Sequence, residues 1–433
     1  MEKQIKKILL LIIAGVLFIP LIQFQSKVVF VKPLHGSFFK YPKPHFHITN
    51  WFNVDFQSKY DSYFNQNFGF RSSMVRLHNQ VEYSLYGKVN ANSVVVGKDN
   101  YLYERQYIKS YLGDDFLGRD SIHKMTHKLM AIQDSLSAHH TKMLLVITPG
   151  KGWFYPEHIP DSMMHPRSTT NYEVYLDELK KSRIPYIDFN ALFLQMKDTA
   201  SIIIYPQTGI HWSQGIVPYV TDSIIKKAEK VLGYNLNHIH WNRDAYVGRA
   251  DKVDADIEKG LNLIFPLKTP SMNYPEVSFD TNKNIKKPKA IAISDSFWWQ
   301  IFNMGVSTKV FNHASFWYYY KQVYPNSFKD HAVMVDDIQP KNEIFNTDLV
   351  ILMTTEANLY KFPYGFQNIF NPKPIDDSLF QHRVQSTMDY IRKQKKWMAK
   401  IEKKAKKRGV SVDSMLYLDA RFMVKKKMEK EKN

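Results

Sequence analysis

From Ile8 to Ile22 the chain is apolar on every side, and Lys3, Lys6 and Lys7 stand ahead of that run. This pattern predicts a membrane-targeting helix. The bulky Gln23, Phe24 and Gln25 after it offer no small-residue cleavage site, so an uncleaved signal anchor is expected. The lysines place its N-terminus inside and everything after residue 26 outside the membrane. Residues 26–50, rich in Pro, His and aromatics, keep no period and read as an extended connector. Helical spacing then begins at Phe64, Phe68, Val75, Leu77, Val81 and Leu85, with Gly69 as a break and Gly87 as a stop.

"SVVVGKDNYLYE" predicts a hairpin around a Gly-Lys-Asp-Asn turn. An amphipathic helix over 121–139 comes next, then a buried strand "KMLLVIT" ending in Pro149-Gly150. After it come a helix near 171–182, a short strand "IPYIDF", and a helix over about 213–232 with Ser213 at its start and Pro218 in its first turns. "KAIAIS" and "TDLVILMT" are two further apolar strands. Such alternation predicts an α/β fold, a parallel sheet covered by helices on both faces, with ligands binding outside the carboxyl ends of its strands. Those ends are polar: Thr148 to Lys151, Ser294-Asp295-Ser296 and Thr354-Thr355-Glu356.

After "NPKPIDD" the composition shifts. Val384, Met388, Ile391, Met398, Ile401 and Ala405 form an apolar stripe on one Lys/Arg-rich helix; Gly409 stops it, and Ser411 caps a second helix through Met415, Leu418 and Phe422. From Arg383 onward there are 17 Lys/Arg against 6 Asp/Glu, which is +11 of the chain's +18. The tail is thus the strongly basic part, and it suits anionic lipid, a polyanionic glycan or plain solvent. It lacks the aromatic interleaving of a nucleic-acid site, so no nucleic acid is expected. With no cysteine, disulfides, thiolate metal sites and a Cys nucleophile are excluded.

Two residues stand out for chemistry. Ser296 comes after a buried strand where a helix begins, a place that exposes its oxygen and brings backbone N–H groups toward a developing oxyanion. His211, in "YPQTGIHWSQGI", is the candidate base. By itself each reads equally as a helix cap or a packed core residue. Lys151 is a candidate for binding an acidic sugar or acyl oxygen, and Tyr155, Trp212 and Trp298 for stacking on a sugar, with core packing as the alternative for the tryptophans. His238 and His240 resemble a metal pair but lack a third ligand at useful spacing.

Six blocks in order, "YFNQNFGFR", "VVVGKDNYLYE", "ITPGKGWFYPEHIP", "TGIHWSQGI", "ISDSF" and "LVILMTTE", make the chain from about residue 55 to 375 resemble the alginate O-acetyltransferase family of envelope proteins. The resemblance implies a circularly rearranged SGNH-hydrolase-like fold in which the His block precedes the Ser block. It implies Ser296 as nucleophile and His211 as base, with no metal or bound cofactor. The family usually places an Asp two residues before this His, where this chain has Gly209, and commonly a Gly where it has Ser294. The orienting carboxylate is then absent or supplied from elsewhere, with Asp295, Glu356 and Glu157 as candidates. The backbone N–H groups of Ser296 and Phe297 are expected in the oxyanion hole.

The expected organisation is a signal anchor at 1–26, connector and helical lead-in at 27–90, an SGNH-like acetyltransferase domain at 91–375 and a basic helical tail at 383–433. The expected activity is O-acetyl transfer to hydroxyls of an envelope or exported polysaccharide. It would be carried out by an inner-membrane, single-pass protein facing the periplasm, and the resemblance implies a membrane-bound O-acyltransferase partner as acetyl donor. A polysaccharide acetylesterase of the same fold and a non-catalytic glycan-binding scaffold are the alternatives.

Overall fold

The structure is a computed structural model describing residues 2–36, 41–52, 54–282, 284–328, 332–370, 377–408 and 411–430. It divides into two compact units, Met1–Gly365 and Phe366–Asn433. The first opens with a helix, Glu2–Ser26, long and apolar enough to cross a membrane. The apolar run alone is short for a crossing, but the helix continues past it at both ends and rises about 37 Å in all. Its last turns are tied to the connector and the lead-in. Phe24 packs edge-on against Tyr63 and Phe64, and Gln23 Nε2 donates to the Val29 carbonyl at 2.6 Å. The lead-in is two helices, Val54–Asn67 and Arg71–Tyr86, divided at Gly69. Leu77, Val81 and Leu85 lie exposed, so the apolar spacing there does not mark a core face.

The hairpin forms as read, β1 (Val94–Val96) pairing antiparallel with β2 (Leu102–Glu104). Asp99 and Asn100 take the left-handed conformations its turn needs. The remaining strands are β3 (Lys142–Thr148), β4 (Tyr186–Asp188), β5 (Ile239–Arg249), β6 (Ser271–Phe279), β7 (Ala290–Ser294), β8 (Ser315–Tyr318), β9 (Gln322–Tyr324) and β10 (Leu349–Thr355). Six of them make one sheet in the order β4-β3-β10-β7-β8-β9. All its pairs are parallel except β8 with β9, so the expected parallel sheet is a mixed one with an antiparallel edge.

Side chains alternate across this sheet. Leu144, Val146, Leu349, Ile351, Met353, Ala290 and Ala292 join one core with Phe189, Phe193, Trp212 and the helix Val217–Leu232. Their neighbours Met143, Leu145, Ile147, Val350, Leu352, Ile291 and Ile293 are buried on the opposite face. Helix Arg119–Ala138 packs on β3 and against helix Asn171–Lys181, which begins with a capping box between Thr170 and Glu173. Val217–Leu232 starts later than its sequence suggests: the residue before it is Ile216, with no side-chain cap, and Ser213 stays in the preceding loop.

β5 and β6 form a separate two-stranded antiparallel ribbon that the pattern of residues did not suggest. The chain between them carries the short helices Lys252–Ala255 and Asp256–Leu261.

Among its described residues the second unit contains three α-helices, Asp377–Arg392, Lys395–Arg408 and Val412–Lys430. The single helix expected from Val384 to Ala405 is broken in two at Lys393-Gln394, which lets Ile401 and Ala405 share a core with Val384, Met388 and Ile391. Ser411 accepts from the Ser414 N–H at 3.1 Å, as a cap should. Leu416, Ala420 and Val424 carry the buried face of the last helix, and Phe422 is exposed. Gly409 and residues 371–376, where the anticipated 375 boundary falls, lie outside the described residues.

Candidate active site

Parallel pairing brings the ends of β3, β10 and β7 to one edge, with Thr148 opposite Thr355 and Ser294 opposite Met353. Of the residues from Ala290 to Trp298, only Ser296 is not buried. The turn that exposes it is fixed by its neighbour. Asp295, wholly buried, accepts from the Phe297 N–H at 3.1 Å, the Thr355 N–H at 2.8 Å, the Thr355 hydroxyl at 2.7 Å and the Asn358 amide at 2.8 Å. It therefore ties the end of β7 to the end of β10 and is not the partner of His211. Because the Phe297 N–H is engaged by Asp295, only the Ser296 N–H remains of the expected oxyanion pair.

His211 reaches the same place from a loop. Its Nε2 lies 2.9 Å from Ser296 Oγ and its Nδ1 lies 2.7 Å from Asp256 Oδ2. An ionised carboxylate only accepts, so Nδ1 carries the proton and the Nε2 lone pair faces the serine hydroxyl. Burial pushes the His211 pKa down, but the Asp256 hydrogen bond and charge, helped by Asp295 and Glu104, outweigh it and leave the imidazole above its ordinary value. The Phe297 ring backs the imidazole at 4.7 Å, and Gln300 donates to the Trp212 carbonyl at 3.2 Å, joining the helix after the serine to the histidine loop.

Asp256 is the first residue of the short helix Asp256–Leu261, and reading the sequence missed it. "RADKVDADIEKG" offers three aspartates in six residues with nothing to rank them. Its other oxygen, Oδ1, accepts the Ile210 N–H at 2.9 Å. Nearby, Asp254 accepts the Gln214 N–H at 3.0 Å, and burial pushes its carboxyl up to about 7. The same approach explains Gly209. A Cβ there would meet the Val253 carbonyl oxygen at 2.5 Å, Pro206 Cγ at 2.8 Å and the Asp254 carbonyl carbon at 2.9 Å. The segment that delivers Asp256 thus occupies the space a side chain at 209 would need.

Several expected site residues sit elsewhere. Glu356 is buried and accepts the Ser110 hydroxyl at 2.6 Å; burial pushes its carboxyl up to about 8, and it does not orient His211. Glu157 pairs with Lys197 at 2.7 Å. Trp212 and Trp298 are core residues at 0% and 3% exposure, too buried to offer a ring face to a sugar, and Trp212 packs edge-on against Phe189, Phe193 and Phe297. Lys151 is 1% exposed and donates to the Gln207 and Gly209 carbonyls, so its ammonium is unavailable to a solvent-borne acid. Tyr155 is half-buried in an aromatic group with Tyr101 and His158. His238 lies between Asp222 and Glu229, and His240 pairs with Asp280.

Residues 94–215 match the family model for the SGNH hydrolase-like domain of the acetyltransferase AlgX. The matched span runs from β1 through the histidine loop; Asp256 and Ser296 lie beyond it. Among solved structures, the O-acetyltransferase domain of Pseudomonas putida AlgJ is 13% identical at a TM-score of 0.43, covering 62% of this chain and 92% of that one. Bacillus cereus PatB1 is 13% identical at 0.37, covering 61% and 96%. Pseudomonas aeruginosa AlgX is 12% identical at 0.36, covering 64% and 59%. A search of the curated proteins found no match. The chain is similar to the SGNH hydrolase-like acetyltransferases.

Proposed function

We propose that this protein is an O-acetyltransferase working through an acetyl-serine intermediate, with Ser296 as nucleophile, His211 as general base and Asp256 as the carboxylate that orients the base and stabilises its protonated form. The carrying observation is the unbroken chain Asp256 Oδ2, His211 Nδ1, His211 Nε2, Ser296 Oγ, with separations of 2.7 and 2.9 Å. In the first half-reaction His211 takes the Ser296 proton as Oγ attacks the acetyl carbonyl. The proton then passes to the departing donor oxygen, leaving acetyl-Ser296. In the second, His211 removes the proton of an acceptor hydroxyl, that oxygen attacks the acetyl group, and Ser296 recovers its proton. Asp256 stabilises the imidazolium formed in each step.

The acceptor under this reading is a hydroxyl of an envelope or exported polysaccharide. Helix Glu2–Ser26 holds the protein in the inner membrane with the site on the periplasmic side, and a membrane-bound O-acyltransferase supplies the acetyl group. A carboxylate within hydrogen-bond reach of His211 counts against a non-catalytic scaffold, and Asp256 lies at 2.7 Å. Transfer and hydrolysis differ only in what intercepts the acetyl-serine. The test is to load Ser296 from an activated acetyl ester, add defined oligosaccharides and follow the acetyl group by mass spectrometry. Acetylated sugar formed at the expense of free acetate supports transfer; acetate released at one rate with or without sugars would make the protein an esterase.

A further inference from the structure

Lys151 is one of the largest wholly buried side chains in the protein, and among the described residues no carboxylate pairs with it. Burial holds its pKa well below the ordinary lysine value, with Asp256 pulling it back up. An ammonium is expensive to bury unless its donors are used. Two of them go to one loop, to the Gln207 carbonyl at 2.7 Å and the Gly209 carbonyl at 2.9 Å. The rings of Tyr101 and Tyr103 lie 5.5 Å from the same nitrogen. Beside it, the Tyr205 hydroxyl donates to the Pro149 carbonyl, and the Leu102 N–H donates to the Gln207 carbonyl at 2.9 Å. The end of β3 and the start of β2 therefore grip residues 205–209, which have no regular structure of their own.

The peptide unit between Gly209 and Ile210 is held from both ends. Its carbonyl accepts from Lys151 and its N–H donates to Asp256 Oδ1, while Asp256 Oδ2 holds His211. A peptide that accepts a hydrogen bond at its oxygen is a better donor at its nitrogen. We infer that Lys151 is a positioning residue for the His211–Asp256 pair, acting through this one peptide on the geometry of the base. This rests on the function proposed above. Sub-ångström placement of a base matters because small misplacements cost large factors in rate.

The test uses the full chain with Lys151→Met, which keeps the stem and removes the donors, and Lys151→Gln, which keeps a neutral donor. Three quantities are read: the Ser296 acylation rate constant at saturating activated ester, the apparent ester affinity, and the downfield proton resonance of His211 Nδ1, assigned by its loss in His211→Ala. The expected result for folded Lys151→Met is acylation slowed roughly 10- to 100-fold, ester affinity unchanged, and a shifted or broadened resonance, with Lys151→Gln intermediate. Folded variants with wild-type acylation and a wild-type resonance would overturn the assignment. If Lys151→Met does not fold, Lys151→Gln decides on the same two readouts. A wild-type protein that shows the resonance but never acylates would sink the proposed function, and the resonance in the variants would still judge Lys151.

Discussion

The serine and histidine sides of the site are held by different means. Ser296 stands at the end of a wholly buried strand, and its neighbour Asp295 gathers donors from the turn and the adjacent strand end. His211 sits in an irregular loop whose bonds come from distant parts of the chain: Lys151 from the end of β3, Asp254 and Asp256 from between β5 and β6, and Gln300 from beyond the serine. One side is fixed by a regular strand whose end is knotted to the neighbouring strand, the other by polar contacts that converge on an irregular loop. Both sides depend on the assembled fold, but the nucleophile is placed by a strand and the base by side-chain contacts to a loop without regular structure.

The largest expected effect is on the histidine side. Asp256→Asn leaves the shape but forces the wrong tautomer or an unpaired ring, and acetylation of Ser296 should slow by roughly 10⁴-fold. The pH profile sharpens this. His211 must be neutral to accept a proton, and its pKa is raised, so the wild-type rate should climb with pH to a half-maximum above 6.5. Without the Asp256 charge, burial dominates and the inflection of Asp256→Asn should move to lower pH. By linkage, the wild-type pair adds stability that is fully present below pH 6.5 and is lost as pH rises through the native His211 value.

This contrast also explains what could be read from the chain alone. β3, β7 and β10 are short apolar runs with polar ends, and Ser296 was legible because its signal is local: strand, hydroxyl, helix start. His211 was legible as one block among six. Asp256 was not, because nothing within about ten residues of it marks it out; its role depends on the β5–β6 ribbon bringing residue 256 back to 210. Lys151 was seen at its strand end, but its burial, and so the direction it faces, is a property of packing. The tryptophans mislead for the same reason, since Trp212 and Trp298 look like sugar platforms in sequence and are core in the fold.

On the serine side the expected loss is in stability. Asp295→Ala strands four buried donors at once, and denaturant unfolding should show a cost of about 3–5 kcal/mol. An unchanged midpoint would mean that the knot between β7 and β10 is not what fixes the turn. Gly209→Asp, which introduces a carboxylate two residues before His211, should not rescue Asp256→Asn. It should instead destabilise by about 1–3 kcal/mol, because residues 253 and 254 fill the space. Rescue of acetylation by the double variant would refute the argument that residues 253 and 254 leave no room for a side chain at 209.

The smallest effect belongs to a buried acid outside the pair. Glu356 titrates near 8 in the native state and in the ordinary carboxylate range when unfolded, so the native chain holds a proton that the unfolded chain loses. Wild-type stability should fall as pH rises from about 4.5 to about 8. Glu356→Gln imitates the protonated form, so it should match wild type to about 1 kcal/mol below pH 4.5, be the more stable of the two at pH 7, and lose that slope. A slope that survives the substitution would assign it to another group.

The central claim is that Ser296, activated by His211 in the orientation Asp256 holds, takes an acetyl group. The most direct measurement is intact-mass spectrometry of the chain after brief exposure to an activated acetyl ester, run beside Ser296→Ala, His211→Ala and Asp256→Asn. The account predicts one acetyl adduct mapped to Ser296 in the wild type, none at that site in Ser296→Ala, and strongly slowed formation in the other two. A folded wild-type chain that gains no adduct, or gains it equally fast without Asp256, would contradict it.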